Sequence, residues 1–334
     1  MNINDIKKLI ESDEYNFLRT NEHLNDRIIF LTLGGSYAYG TNVEGSDVDI
    51  RGVALERENE IIGLSSFDLF ENKATDTVIY SFMKIISLLM SCNPNTIELL
   101  GVNPEHILKI SKEGKLLLDN VDMFLSQKAV NSFGGYANQQ LRRLQNSLAR
   151  NEYSHSEKEK HLNDKINQMI VLFNERYENF NNDSIKVYID ESNKEEYDTE
   201  MFMDINLQHY PLRDFKNIYS EMNETVKQFG KLNNRNKKKS IEHLNKHAMH
   251  LVRLLKMGTE ILSTGEINTY RENDKELLLD IRNGLFSTDE IFTLVSKLED
   301  QFKYAKENTI LPKSPNFDLI EEFVMQINRE ALKR

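Results

Sequence analysis

The chain has 334 residues, 39% of them hydrophobic, and a formal net charge of -11, enough apolar material for a sizeable core in two domains. The acidity excludes a polyanion-binding surface spread over the whole molecule, so any such surface must be local. The charged stretch Met1–Lys8 does not read as a secretory signal and no apolar run has membrane-spanning length; the single Cys92 excludes an intrachain disulfide or a cysteine metal cluster, so a cytoplasmic location is the default and Cys92 reads as a small buried hydrophobe.

In chain order, the first strong element is a buried strand over 28–34. Ile28-Ile29-Phe30-Leu31-Thr32-Leu33 is apolar, contains β-branched residues and stops at Gly34-Gly35. Glycine admits positive φ, so this pair can bend the chain and aim backbone amides at an anion. Ser36 adds a hydroxyl donor near the start of a predicted helix, whose N-terminus favours negative charge. A triphosphate fits such a corner.

A second strand is predicted over 47–54, where Ser46-Asp47-Val48-Asp49-Ile50-Arg51-Gly52-Val53 alternates. Residues two apart share a face, so Asp47, Asp49 and Arg51 project together while Val48 and Ile50 enter the core. Paired carboxylates repel unless a cation lies between them, and oxygen-only ligation suits Mg²⁺ or Mn²⁺. Two such ions would clamp the attacking and leaving oxygens of an in-line phosphoryl displacement. A third carboxylate usually completes that chemistry. A third strand over 75–80 offers Asp76, on the face of Val78 and Tyr80, with Asp68 and Glu71 as competitors. Arg51 can contact substrate or pair with the acids, and the pattern leaves both open.

A helix is predicted over 81–91 from the spacing of Phe82, Ile85, Ile86, Leu88 and Leu89. Asn93-Pro94-Asn95 breaks it and starts another that carries Glu98, read as structural. From about residue 116 the pattern is mostly helical, with Leu148, Ile166, Met169, Ile170, Leu172 and Phe173 as apolar positions. The less regular stretch 183–212, with Ile185–Ile189 as a short strand, reads as a hairpin or insertion. The expected domains are therefore 1–115 and 116–334.

Two later segments carry polar chemistry. Gly134-Gly135-Tyr136, with Gln139, Gln140, Arg142 and Arg143, is either a phosphate-binding helix start with a stacking ring or a place of close helix packing. The segment Lys231–Lys256 gathers Lys231, Arg235, Lys237, Lys238, Lys239, Lys246, Arg253 and Lys256 against the single acid Glu242. Lys246, His250 and Arg253, spaced four and three apart, share a helix face, with His243 and His247 on that side and Leu244, Leu251, Leu254 and Leu255 as the core side. A solvated charged face competes with a phosphate-binding one. A zinc site on His243, His247 and His250 fits the spacing, but its surroundings are cationic and no cysteine is near.

Gly35-Ser36, a spacer and Asp47-Val48-Asp49 together resemble the DNA polymerase beta-like nucleotidyltransferases. The closer resemblance is to the branch associated with RNA repair in bacteria and phages. It rests on Gly35-Ser36-Tyr37-Ala38-Tyr39-Gly40-Thr41, Ser46-Asp47-Val48-Asp49-Ile50-Arg51-Gly52, Asn93-Pro94-Asn95-Thr96-Ile97-Glu98-Leu99-Leu100, Phe133–Ala137 and Lys246–Leu255. The resemblance implies an α+β fold: a small mixed sheet flanked by helices, followed by a mostly helical domain. It implies metal binding and catalysis by Asp47, Asp49 and Asp76, and a nucleoside triphosphate held by Gly34, Gly35 and Ser36 with Arg51, Lys246, His250 and Arg253. The reaction expected is transfer of a nucleoside monophosphate to a hydroxyl with release of pyrophosphate. The favoured acceptor is an RNA end, tRNA-like, docked by Lys231–Lys256. A protein or small-molecule acceptor and a non-catalytic nucleotide or RNA sensor are the rival readings. Arg271, and Arg282 with Asn283-Gly284, resemble late positions expected to line the cleft.

Overall fold

The computed structural model describes residues 1–152, 155–191, 199–233 and 241–333. The chain divides by contacts into two units, one made of Met1–Gln140 and Asn245–Arg334, the other of Leu141–Leu244. The division drawn at 115 from the sequence differs from this one. Residues 245–334 group with the N-terminal segment in the first unit.

The first unit is built on a five-stranded mixed sheet of order β3-β4-β2-β1-β5. Its strands are β1 (Ile28–Leu33), β2 (Ile50–Ala54), β3 (Leu69–Asn72), β4 (Thr77–Ser81) and β5 (Ile107–Ile110). Only β2 and β4 run parallel, with Arg51 opposite Val78; β1 lies antiparallel to β2, with Thr32 opposite Arg51. Every residue of β1 is buried, which is why its sequence is continuously apolar instead of alternating. Short helices α1 (Ile3–Leu9) and α2 (Phe17–Thr20) precede the sheet, and Ile6 and Leu18 join Leu31, Leu33, Ile50 and Ile79 in one core cluster.

The helices between the strands are α3 (Gly35–Tyr39), α4 (Glu58–Ile61), α5 (Phe82–Leu89) and α6 (Pro94–Ile97), with α7 (Lys112–Asp119) after β5. The Ser81 side chain caps α5 by accepting from the Lys84 amide at 3.1 Å. Phe82, Ile85, Ile86 and Leu89 form the buried face of α5. Each such side chain contributes about 1.5 to 3 kcal/mol by burial, so a charge at Ile85 would detach the helix from β2 and β4. Asn93 caps α6 through the Asn95 amide, with Pro94 at the first helical position. Cys92 is buried, as expected.

Helix α8 (Lys128–Glu152) leads out of this unit. The second unit contains α9 (His155–Arg176), the antiparallel hairpin of β6 (Ile185–Glu191) and β7 (Thr199–Ile205), and α10 (Leu212–Asn233). The hairpin accounts for the irregular stretch expected at 183–212. Ile166, Ile170 and Phe173 enter a core with Phe180, Ile185 and Ile218, with Met169 at its margin; Leu172 is exposed instead. Helix α11 (Ile241–Thr264) returns to the first unit, which α12 (Lys275–Arg282), α13 (Thr288–Asn308) and α14 (Phe317–Ala331) complete. Among the described residues no helix is long and apolar enough to cross a membrane.

Candidate active site

The site forms where β1 ends. The Gly34 amide donates to the Asp49 carbonyl at 2.8 Å, which continues the β1–β2 ladder one step past both strands. The chain then turns directly into α3, with Gly35 at φ 53°. A Cβ on Gly35 would stand 1.9 Å from Asp49 Oδ2, and one on Gly34 2.7 Å from Arg51 Cγ. The glycine pair is therefore required twice at Gly35, for backbone conformation and for close approach of the Asp49 carboxylate. Ser36 follows in the first turn of α3, and its carbonyl accepts from the Thr41 amide at 2.9 Å.

The acids come together, though from different local structure than the alternation predicts. Strand β2 begins at Ile50, so Asp47 and Asp49 occupy the extended stretch just before it. Asp76 likewise is not on β4: it forms the turn before that strand, at φ 44°, because the Ile50 amide takes the Asp76 carbonyl as its partner at 3.2 Å. Asp47, Asp49 and Asp76 all line one cleft, and neither Asp68 nor Glu71 does. Asp68 pairs with Lys84 at 3.0 Å.

Arg51 binds two of the three carboxylates. Its Nη2 lies 3.0 Å from Asp49 Oδ1 and 3.1 Å from Asp76 Oδ1, while its Nη1 donates to the carbonyls of Ile50 and Asp76. Of the two roles open to Arg51, the structure thus displays pairing with the acids. Burial raises the Asp49 pKa to about 6, with Arg51 opposing and the adjacent Asp76 reinforcing the rise. Among the described residues no three Asp, Glu, His or Cys side chains converge as they stand on a cation position. The donor set itself, three carboxylates on one cleft with two pressed together, fits an oxygen-preferring divalent ion.

The opposite wall is cationic. Lys246 and His250 on α11 and Arg282 at the end of α12 line the same cleft as Gly35 and Ser36, a space of about 400 Å³. Arg282 donates to the Thr41 carbonyl at 2.6 Å and approaches the Ser46 hydroxyl at 3.4 Å, so it braces the loop between the glycine corner and Asp47. His250 is held neutral: burial, then Arg253, Lys246, His247 and Arg282, push its pKa down to about 3. A smaller space of about 260 Å³ adjoins, lined by Gly34, Tyr39, Arg51, Tyr80, Asn95 and Glu98 among others.

Arg253 does not reach the cleft. It is 5% exposed, with Nη1 2.9 Å from Glu98 Oε2 and its guanidinium 3.7 Å from the centroid of the Tyr39 ring. The Tyr39 hydroxyl donates to Glu98 Oε1 at 2.5 Å, and the Thr269 hydroxyl to the Glu98 carbonyl. Glu98 is structural, as read, and Arg253 is its counterion. Arg271 is buried too, on Asp274 and Glu260, so of the two late arginines Arg282 alone lines the cleft.

The remaining candidates separate similarly. In the basic segment, Lys256 pairs with Asp274 at 2.7 Å. Arg235, Lys237, Lys238 and Lys239 lie outside the described residues, as does the side chain of Lys231. His247 Nδ1 is 3.0 Å from Gln140 Oε1, an arrangement that does not build a histidine metal site. Gly134 and Gly135 lie inside α8, not at its start, and a Cβ on Gly134 would touch Phe302 at 3.5 Å, which favours the packing reading. Arg142 and Arg143 are exposed. Sequence reasoning missed the Tyr39–Glu98–Arg253 cluster; its members are scattered along the chain and carry no shared spacing.

Compared with known families, residues 9–170 match the model described as RlaP, the RNA repair pathway DNA polymerase beta family. No curated protein matches the chain.

Proposed function

We propose, from the match of residues 9–170 to the RNA repair pathway DNA polymerase beta family, that the protein moves a nucleoside monophosphate from a nucleoside triphosphate to a hydroxyl on an RNA end, tRNA-like, and releases pyrophosphate. The observation that carries this reading is that one cleft is lined by Gly35 and Ser36, by Asp47, Asp49 and Asp76, and by Lys246, His250 and Arg282. Phosphate donors and carboxylates of that kind have no common structural purpose, whereas phosphoryl transfer employs both.

In this reading Ser36 and the backbone at Gly34 and Gly35 hold the triphosphate, with Lys246 and Arg282 neutralising its charge. His250, neutral at pH 7, serves as a hydrogen-bonding group. Asp47, Asp49 and Asp76 would hold Mg²⁺ or Mn²⁺, two ions, whose chemistry is to stabilise charge on the attacking and leaving oxygens. The acceptor oxygen bonds to the α-phosphorus as the bond to pyrophosphate breaks. Asp76, half exposed beside the cleft, takes the proton that the acceptor hydroxyl loses. RNA as acceptor is supported by the family's description, and a place in the cytoplasm accords with such a substrate.

The test is incorporation from each α-³²P-labelled ribonucleoside triphosphate, with Mg²⁺ or Mn²⁺ and total RNA, beside the Asp47→Asn/Asp49→Asn double variant. Label in RNA that depends on both aspartates is the expected result. Label in protein or small molecules would move the acceptor, and nucleotide binding without any transfer would leave a sensor.

A further inference from the structure

Arg51 supplies, from within the chain, the positive charge that the paired carboxylates demand. Its guanidinium touches Asp49 and Asp76 through the same nitrogen, at 3.0 Å and 3.1 Å. Asp49 and Asp76 are two of the three carboxylates that would hold a divalent ion. A guanidinium and a divalent cation compete for these carboxylates: both are positive, so each repels the other and weakens its hold on the same negative charge. The backbone fixes this competition. Arg51 is the second residue of β2, two along from Asp49 and on its face, and the β2–β4 register brings the Asp76 turn alongside. Two further donations, to the Ile50 and Asp76 carbonyls, tie the side chain to the turn that carries Asp76.

We propose that Arg51 is a placeholder cation: it holds Asp49 and Asp76 together in the free protein and gives way when a divalent ion takes both carboxylates. This rests on the nucleotidyltransferase reading and adds an order to it. The free protein then binds metal weakly, because each ion has to evict a hydrogen-bonded guanidinium. A triphosphate held at the glycine corner would offer that guanidinium other oxygens, since Arg51 lines the adjoining space together with Gly34 and Gly35. Nucleotide therefore raises metal affinity, and by linkage metal raises nucleotide affinity equally. Arg51 acts here as a positioning residue, through the carboxylates.

The decisive measurement is Mn²⁺ binding to the full chain without nucleotide, by the loss of the free-ion electron paramagnetic resonance signal. Arg51→Gln removes the charge and keeps a polar side chain; Arg51→Lys keeps the charge. Arg51→Gln is expected to bind Mn²⁺ about tenfold more tightly than the wild type, within the usual range of coupling between sites, with Arg51→Lys close to the wild type. A merely structural role for Arg51 would loosen Mn²⁺ binding on substitution. Equal or weaker binding by Arg51→Gln, or equal tightening in both variants, overturns the placeholder while leaving the transferase reading intact. Absence of Mn²⁺ binding in all three proteins likewise overturns the placeholder, since removing the charge then releases no metal site. Melting in chelator gives a second readout should Arg51→Gln be poorly folded: its melting temperature is expected to lie below that of the wild type and to recover more on Mn²⁺ addition. A smaller recovery than the wild type shows overturns the proposal.

Discussion

Arg253 Nη1 sits 2.9 Å from Glu98 Oε2 across 155 residues of sequence, with both side chains about a tenth exposed or less. The pair joins α11 to the turn after α6, and Tyr39 of α3 completes it. Removing one partner leaves a buried charge without compensation, at a cost of about 3 to 5 kcal/mol. Arg253→Met is therefore expected to lower unfolding stability in urea by that amount. Arg253→Met/Glu98→Gln should recover part of it. A single variant as stable as the wild type would show that the pair does not hold these segments together.

Gly35→Ala would place a methyl group against Asp49 Oδ2 and strain a backbone at φ 53°. The local cost is about 1 to 3 kcal/mol, which a chain of this size survives. Displacing Asp49 from the corner is more serious for chemistry, since misplacement by about 1 Å costs roughly 100-fold in rate. Folded protein with incorporation reduced on that scale is the expected outcome. Wild-type incorporation by Gly35→Ala would separate the glycine from the reaction.

His250 makes stability depend on pH. Its folded pKa lies at about 3, below the ordinary 6.5, through burial and then the cations around it. Between those values the unfolded chain binds a proton that the folded protein refuses. The stability contributed is therefore present above pH 6.5 and is lost as pH falls toward 3. In His250→Gln, the fall in stability over that window should be shallower by about 1 kcal/mol per pH unit. Parallel curves for the two proteins, from urea unfolding at several pH values, would remove His250 from the acid response.

Lys246 and Arg282 approach the cleft from different helices and should differ in effect. Lys246 is exposed, so Lys246→Met is expected to leave stability unchanged while weakening triphosphate binding about tenfold, equivalent to about 1.4 kcal/mol. Arg282 also braces Thr41 and Ser46, so Arg282→Ala should weaken binding and also increase amide hydrogen exchange in the loop 41–46. Calorimetric affinities equal to the wild type in both variants would take the cationic wall out of nucleotide binding.

The corner from Gly34 to Ser36 and the acids Asp47, Asp49 and Asp76 were legible in sequence because a buried strand, a glycine stop and period-two alternation are local signals. Their exact setting was less so. Asp76 sits in a turn because its carbonyl serves the neighbouring strand, which nothing in residues 74–80 announces. Strands β3 and β5 escaped notice because they are the two sheet edges: Leu69 and Ile110 are exposed, so the apolar pattern that marks a strand is diluted. Arg253 was placed with Lys246 and His250 because spacings of four and three do share a helix face. What lies over each turn of that face, Glu98 and Tyr39 in one case and open cleft in the other, belongs to segments far away in the chain.

The unit that carries the cleft is interrupted in sequence by residues 141–244. During synthesis, the glycine corner and the aspartates emerge long before Lys246, His250 and Arg282, and Glu98 waits for Arg253 with only the Tyr39 hydroxyl on its carboxylate. Such long-separated pairings fold slowly, since the closing of the chain precedes the contacts that reward it. A ribosome paused within the intervening segment would therefore carry a nascent chain in which the glycine corner and the aspartates are present and the cationic residues of the cleft are not. The cleft is completed late and all at once.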